Sequence, residues 1–115
     1  MITFLFPQVA VATTPVIIKQ MTLEEKIAST SRKYGISEVQ MAKTIECESN
    51  NNSFAVGDNG QSYGLVQIFL PAHPEVTKEQ ALDEDFALDF MGKEFKKGNQ
   101  KIWSCWKKIY SIKDV

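Results

Sequence analysis

Ile45-Glu46-Cys47-Glu48-Ser49-Asn50-Asn51-Asn52, running on through Gly57-Asp58-Asn59-Gly60-Gln61-Ser62-Tyr63-Gly64 to Leu65-Val66-Gln67-Ile68, is the stretch on which the fold of this chain turns. It opens as the end of an amphipathic helix, breaks at three successive Asn residues that bond their own backbone, and resumes as an apolar run. Asp58-Asn59-Gly60 tolerates positive φ, so a tight reversal is predicted there, doubling the chain back toward the helix end. Glu48 then stands in the last turn of the helix. The partial negative charge of a helix C-terminus and the apolar Ile45 one turn back both disfavour a carboxylate, which raises its pKa. A carboxyl tuned upward is a general acid available near neutral pH, as cleavage of a glycosidic bond requires. Glu46 lies about 200° round the helix from Glu48, so the two do not form a carboxylate dyad.

Moving toward the N-terminus, Ser37-Glu38-Val39-Gln40 is a capping-box pattern that opens this helix, with Val39, Ala42 and Ile45 as its expected buried stripe. Thr22-Leu23-Glu24-Glu25 repeats the device for a first helix over residues 23–34, stopped by Lys33-Tyr34-Gly35. Residues 1–20 differ in composition. Met1-Ile2-Thr3-Phe4-Leu5-Phe6 is apolar and Ala10-Val11-Ala12 resembles a signal cleavage site, but a basic n-region is lacking and Pro7-Gln8 interrupts the run. This segment reads as an N-terminal arm or the remnant of an export signal, and it is too short to span a bilayer. Residues 21–115 form the folded domain.

Toward the C-terminus, Leu65 to Pro71 is mostly core, with Gln67 the polar exception. A buried amide must be satisfied, either by the loop backbone or by a ligand together with Glu48. His73 sits in a connector and reads as a surface or loop residue. Thr77-Lys78-Glu79-Gln80 opens one helical region ending at Lys96-Lys97-Gly98-Asn99, with Leu82, Phe86, Ala87, Phe90 and Phe95 inward and Gly92 a point of weakening or bending. The last helix, about residues 101–112, carries Ile102, Cys105, Trp106 and Ile109 as its core stripe. Trp103 belongs either to the core or to a cleft where its ring would stack on sugars.

With 115 residues, 43% of them hydrophobic, and a formal net charge of −1, the chain makes one domain that is mainly α, with a small hairpin beside a groove. The near-neutral balance argues against a nucleic-acid partner. Asp58-Asn59-Gly60 lacks the ligand spacing of a calcium loop, and neither metal nor cofactor is expected.

Glu48-Ser49, Ala55-Val56 with its glycine turn, and Ser62-Tyr63-Gly64-Leu65-Val66-Gln67-Ile68 together resemble the signature of the soluble lytic transglycosylase (SLT) domains of the lysozyme-like superfamily. The close match covers about two dozen residues, in the order acid, turn, Gly-Leu-aliphatic-Gln-Ile. The resemblance implies an α+β lysozyme-like fold and cleavage of the β-1,4 bond between N-acetylmuramic acid and N-acetylglucosamine in peptidoglycan. Glu48 would be the catalytic acid and then base, and Asp58, Asn59, Ser62, Tyr63 and Gln67 would line the saccharide groove. Many such domains carry a late Ala-Tyr-Asn-Ala-Gly type segment whose Tyr holds the catalytic Glu. Here Trp103-Ser104-Cys105-Trp106 stands in that region, and no Tyr carries over.

Cys47 and Cys105 are either a disulfide closing a loop of nearly sixty residues or two reduced, buried thiols. An exported wall enzyme can form the bond, which by chain entropy is worth about 4 kcal/mol. A monomeric, extracytoplasmic enzyme acting on glycan strands without stable membrane insertion is the main expectation. Two alternatives stand beside it: a goose-type-like lysozyme in which Asp58 positions water, and a non-catalytic module that binds peptidoglycan.

Overall fold

A computed structural model of the chain describes residues 20–111. The arm or export remnant read in residues 1–20 falls, but for Gln20, outside the described residues, as does Ile112.

The helix α1 (Leu23–Tyr34) has both bonds of its capping box: the Thr22 hydroxyl accepts from the Glu25 N–H at 3.2 Å, and the Glu25 carboxylate accepts from the Thr22 N–H at 3.0 Å. Gly35, in the left-handed region with φ 66°, closes it. The next helix, α2 (Glu38–Ser49), begins on Ser37, whose hydroxyl accepts from the Gln40 N–H at 3.2 Å. The reciprocal bond expected from Gln40 is not made, because its Oε1 accepts from the indole N–H of Trp106 at 3.0 Å. Asn50 and Asn51 end α2 with φ of 53° and 62°, as a run of three Asn requires.

The buried stripe of α2 is Met41, Thr44, Ile45 and Ser49. Val39, expected inside, is 59% exposed, and Ala42 is half-buried. The stripe is turned toward the flank that Trp106 meets at Gln40, and the opposite side, with Val39, Lys43 and Glu46, is exposed. Glu48 follows Met41, Thr44 and Ile45 at the seven-, four- and three-residue spacings of one helix face, which carries the acid toward the core.

Three short antiparallel strands follow: β1 (Val56–Gly57), β2 (Ser62–Tyr63) and β3 (Ile68–Phe69), in that order. Val56 pairs with Tyr63 and Tyr63 with Ile68; Gly57 pairs with Ser62 and Ser62 with Phe69. The reversal between β1 and β2 is a 3-10 turn over Asp58–Gly60, with Asp58 and Asn59 at φ 50° and 56°. Gly64 fixes this sheet against the next helix. Its φ is 85°, and a Cβ on it would lie 1.8 Å from the carbonyl oxygen of Ala81, so a side chain here forces the two segments apart. Leu65, Val66 and Ile68 are buried, as the apolar run predicts.

The single helical region expected after Thr77 is two helices, α3 (Lys78–Leu82) and α4 (Glu84–Lys96). Asp83 separates them. It takes an extended conformation, and its carboxylate accepts from the Asp85 N–H at 3.1 Å, so its strength as a cap outweighs continuation of the helix. The helix runs through Gly92 without interruption. Gly92 is instead where α4 meets α1, since a Cβ there would lie 2.5 Å from Tyr34 Cδ2 and 2.8 Å from Thr30 Cγ2.

The last helix, α5 (Ser104–Tyr110), follows a 3-10 turn at Gln100–Ile102 and has no fully buried residue. Ile102 and Ile109, expected in the core, are 51% and 41% exposed. Trp103 takes that place. It is buried, its indole N–H donates to the Val66 carbonyl at 2.8 Å, and it packs edge-on against Phe95 and Phe90. One large anchor ahead of α5 satisfies the local core, so the helix beyond it lies across the surface. The architecture is thus mainly α with a small three-stranded sheet. Among the described residues no helix is long and apolar enough to cross a membrane.

Candidate active site

Glu48 occupies the last turn of α2, half-buried, and its Oε2 accepts a hydrogen bond from the backbone N–H of Cys105 at 3.2 Å. The donor is held in place covalently. Cys47 and Cys105 form a disulfide with Cα atoms 5.9 Å apart across a sequence separation of 58, so Cys105 is tied to the residue next to the acid. Burial raises the Glu48 pKa above its ordinary value; the Cys105 N–H opposes the rise, and the negative charge of Asp58 adds to it. Glu46 is exposed, as its position round the helix requires.

Asp58 is the second carboxylate of the site. Its Oδ2 accepts the hydroxyl proton of Ser62 at 2.5 Å, and Ser62 is buried on β2. Ser62 therefore acts on Asp58 rather than forming an open wall. Tyr63 braces the same turn, its hydroxyl donating to the Gly60 carbonyl at 2.6 Å, while Lys78 Nζ lies 5.0 Å from its ring centre. Asn59 is exposed at the tip.

Gln67 has φ 55°, and its amide nitrogen donates to the carbonyls of Gly64 at 2.9 Å and Ala55 at 3.1 Å. Its Oε1 lies under Gly57, where a Cβ would come within 2.4 Å. Of the two uses weighed for this amide, bonding the loop backbone is observed. Gln67 thereby fixes the segment that leads into Asp58.

Beside these groups is a cavity of about 270 Å³ lined by Gln67, Phe69, His73, Phe90, Ile102 and Trp103. Glu48 and Asp58 are not among its lining residues; Gln67 connects it to the Asp58 turn through its contact with Gly57, and Trp103 precedes Cys105 by two residues. His73 is more than a loop residue here, half-buried and edge-on to Phe90 with ring centres 4.9 Å apart. Trp103 serves the core and also presents an edge to the cavity.

The sequence pointed to the cysteine pair and to the helix-end place of Glu48, but not to the Cys105 N–H as its donor, nor to Phe69 and Phe90 as cavity walls. A backbone donor leaves no residue-type signal. Phe69 was visible as an aromatic two residues after Gln67, although the apolar run containing it reads as core. Among the described residues no group of three or more His, Cys, Asp or Glu side chains is placed to hold a metal ion. Compared with protein-family models, curated proteins and solved structures, the chain has no match.

Proposed function

We propose that this chain is a peptidoglycan lytic transglycosylase of the SLT type, cleaving the β-1,4 bond between N-acetylmuramic acid and N-acetylglucosamine. The observation that carries the reading is Glu48, a carboxyl on the buried stripe of a helix whose pKa burial raises and whose position one backbone N–H fixes. Such a group gives up its proton less readily than an ordinary carboxyl, and it is aimed.

Glu48 donates that proton to the glycosidic oxygen, the bond from the anomeric carbon breaks, and N-acetylglucosamine leaves with a free 4-hydroxyl. The oxygen of the substrate's own N-acetyl group relieves the positive charge at the anomeric carbon. The Glu48 carboxylate then takes the proton of the muramic C6 hydroxyl, whose oxygen attacks the anomeric carbon and displaces the acetyl oxygen. Glu48 is protonated again and no water is consumed. The Cys105 N–H stabilises the carboxylate between the two steps. The aromatic cavity beside Gln67 offers apolar faces for a sugar ring and its acetyl methyl. A disulfide fits an enzyme that works outside the cytoplasm, where its substrate lies.

A second reading has its own observation. Asp58 is oriented by Ser62 and close enough to Glu48 to raise its pKa, and a second carboxylate able to activate water defines a lysozyme-type hydrolase. Mass spectrometry of muropeptides released from purified peptidoglycan separates the two. Transglycosylation yields 1,6-anhydromuramic ends, lighter by one water than hydrolysed ends, and Asp58→Asn retains most of the release. Reducing ends, with release abolished in Asp58→Asn, would replace the transglycosylase by the hydrolase. Folded protein that binds the wall and releases nothing would leave a binding module.

A further inference from the structure

We propose that the Cys47–Cys105 disulfide is a redox switch on this site: reduction by a dithiol frees α5 from the end of α2 and withdraws the Cys105 N–H from Glu48, while the other helices stay folded. Only its consequence for catalysis rests on the function proposed above.

Three independent features converge on it. The first is access. Cys47 is exposed and opens on a groove of about 600 Å³ lined also by Lys43, Glu46, Asn50, Lys108 and Ile109, room enough for the loop of a partner protein. Two lysines against one glutamate leave that groove net positive, which favours thiolate over thiol during exchange.

The second is how lightly α5 is held. It contributes no fully buried residue, and the core anchor Trp103 lies just before it, in extended backbone that can serve as a hinge. Beyond that hinge its ties to α2 are the disulfide, the Cys105 N–H bond to Glu48 and the Trp106–Gln40 hydrogen bond, with Trp106 half-buried against the core. The Tyr110 hydroxyl is buried with no hydrogen-bond partner among the described residues, which weakens the docking further. The third is the coupling: the residue that forms the disulfide is the residue whose N–H meets Glu48.

The exchange balances without other reactants. A thiolate of the dithiol attacks the exposed Cys47 sulfur and expels the Cys105 thiolate. The second thiol of the dithiol then resolves the mixed disulfide and expels the Cys47 thiolate. The dithiol leaves as a disulfide, and its two protons end on Cys47 and Cys105. Without its fixed donor Glu48 loses orientation and the anion formed after proton donation loses a stabilising dipole.

The test compares oxidised and dithiothreitol-reduced full chain by amide hydrogen exchange, with muropeptide release measured on the same samples. Reduction is expected to speed exchange across residues 104–111 by roughly tenfold or more beyond any change in α1 and α4, which stay folded. Release should fall roughly tenfold, the scale of one hydrogen bond to a charged group. Both should recover on reoxidation, and a Cys47→Ser/Cys105→Ser variant should show the reduced pattern without reductant. Unchanged protection of α5 would overturn the proposal. So would an equal loss of protection in every helix, which makes the bond a staple of the whole fold, or a freed α5 with full release. If the oxidised chain releases no muropeptides, the enzyme reading fails, and the exchange data alone still decide the switch.

Discussion

Two carboxylates on helices that each pack against α1, Asp89 of α4 and Glu48 of α2, are tuned in opposite directions. Burial acts to raise the pKa of Asp89, but it is outweighed by hydrogen bonds from the Tyr34 hydroxyl, Lys93 at 3.0 Å and Lys33 at 3.1 Å, which hold it at about 2. Burial also acts on Glu48, where a single backbone N–H at 3.2 Å opposes it and the charge of Asp58 assists, so the pKa ends high. Donor number decides the outcome. Surrounded by donors, a buried carboxylate becomes a fixed strut between α1 and α4. Given one donor and a like charge, it becomes a group that can lose and regain a proton.

The largest effect that can break this contrast is on activity. Glu48→Gln keeps an acceptor for the Cys105 N–H and should cut muropeptide release about 10³-fold, or about 4 kcal/mol in barrier. A variant within tenfold of the parent would deny Glu48 its chemical role. Next comes Asp89→Asn, which should leave release per folded molecule unchanged and lower stability by about 1 to 2 kcal/mol at pH 7, discounted for solvent reaching a carboxylate that is 34% exposed. The folded pKa of about 2 lies below the ordinary 3.8, so this contribution is fully present above that ordinary value and is lost as pH falls through the folded value. Urea titrations of parent and variant should therefore converge toward pH 2, and a gap that persists there would mean that packing, not charge, carries Asp89.

The smallest effect is the most discriminating. Because the Glu48 pKa is raised above its ordinary 4.5, the folded state binds the proton more tightly than the unfolded one, and stability falls as pH rises through that interval. Glu48→Gln should then gain stability at pH 7, by less than Asp89→Asn loses because solvent screens a half-exposed group. The gain should vanish below about pH 4, where both states are protonated. A loss of stability at pH 7 would show that the parent carboxylate is held by more than Cys105.

Much of this was legible where one residue type does one local job. Thr22 and Gly35 bound α1 as expected, Asn50 and Asn51 end α2, Asp58-Asn59-Gly60 turns the chain, and the cysteines pair. Legibility failed where two local choices were equally good and a distant partner decided. In α2, Val39-Ala42-Ile45 and Met41-Thr44-Ile45 are both apolar enough for a stripe, and the position of Trp106 against Gln40, 66 residues away, selects the second. Ile102 and Ile109 have the spacing of a core face, yet Trp103 alone fills the space available to that end of the chain. Asp83 sits where helix periodicity continues, but its carboxylate gains more by capping α4. For the candidate site, the place of Glu48 in the last turn of α2 was readable and the donor it meets was not, since every residue but proline carries a backbone N–H.

That donor has a consequence for how the protein comes into being. The hydrogen bond to Glu48 spans 57 residues of sequence, so a nascent chain that has already folded α1 and α2 still carries an acid without its partner. At ribosomal speeds of about 5–20 residues per second, Cys105 is polymerised roughly 3–11 s after Glu48, and only then can it pair with Cys47. The surroundings of Glu48 are therefore completed last, a built-in delay between making the helix that carries it and supplying the donor that holds it.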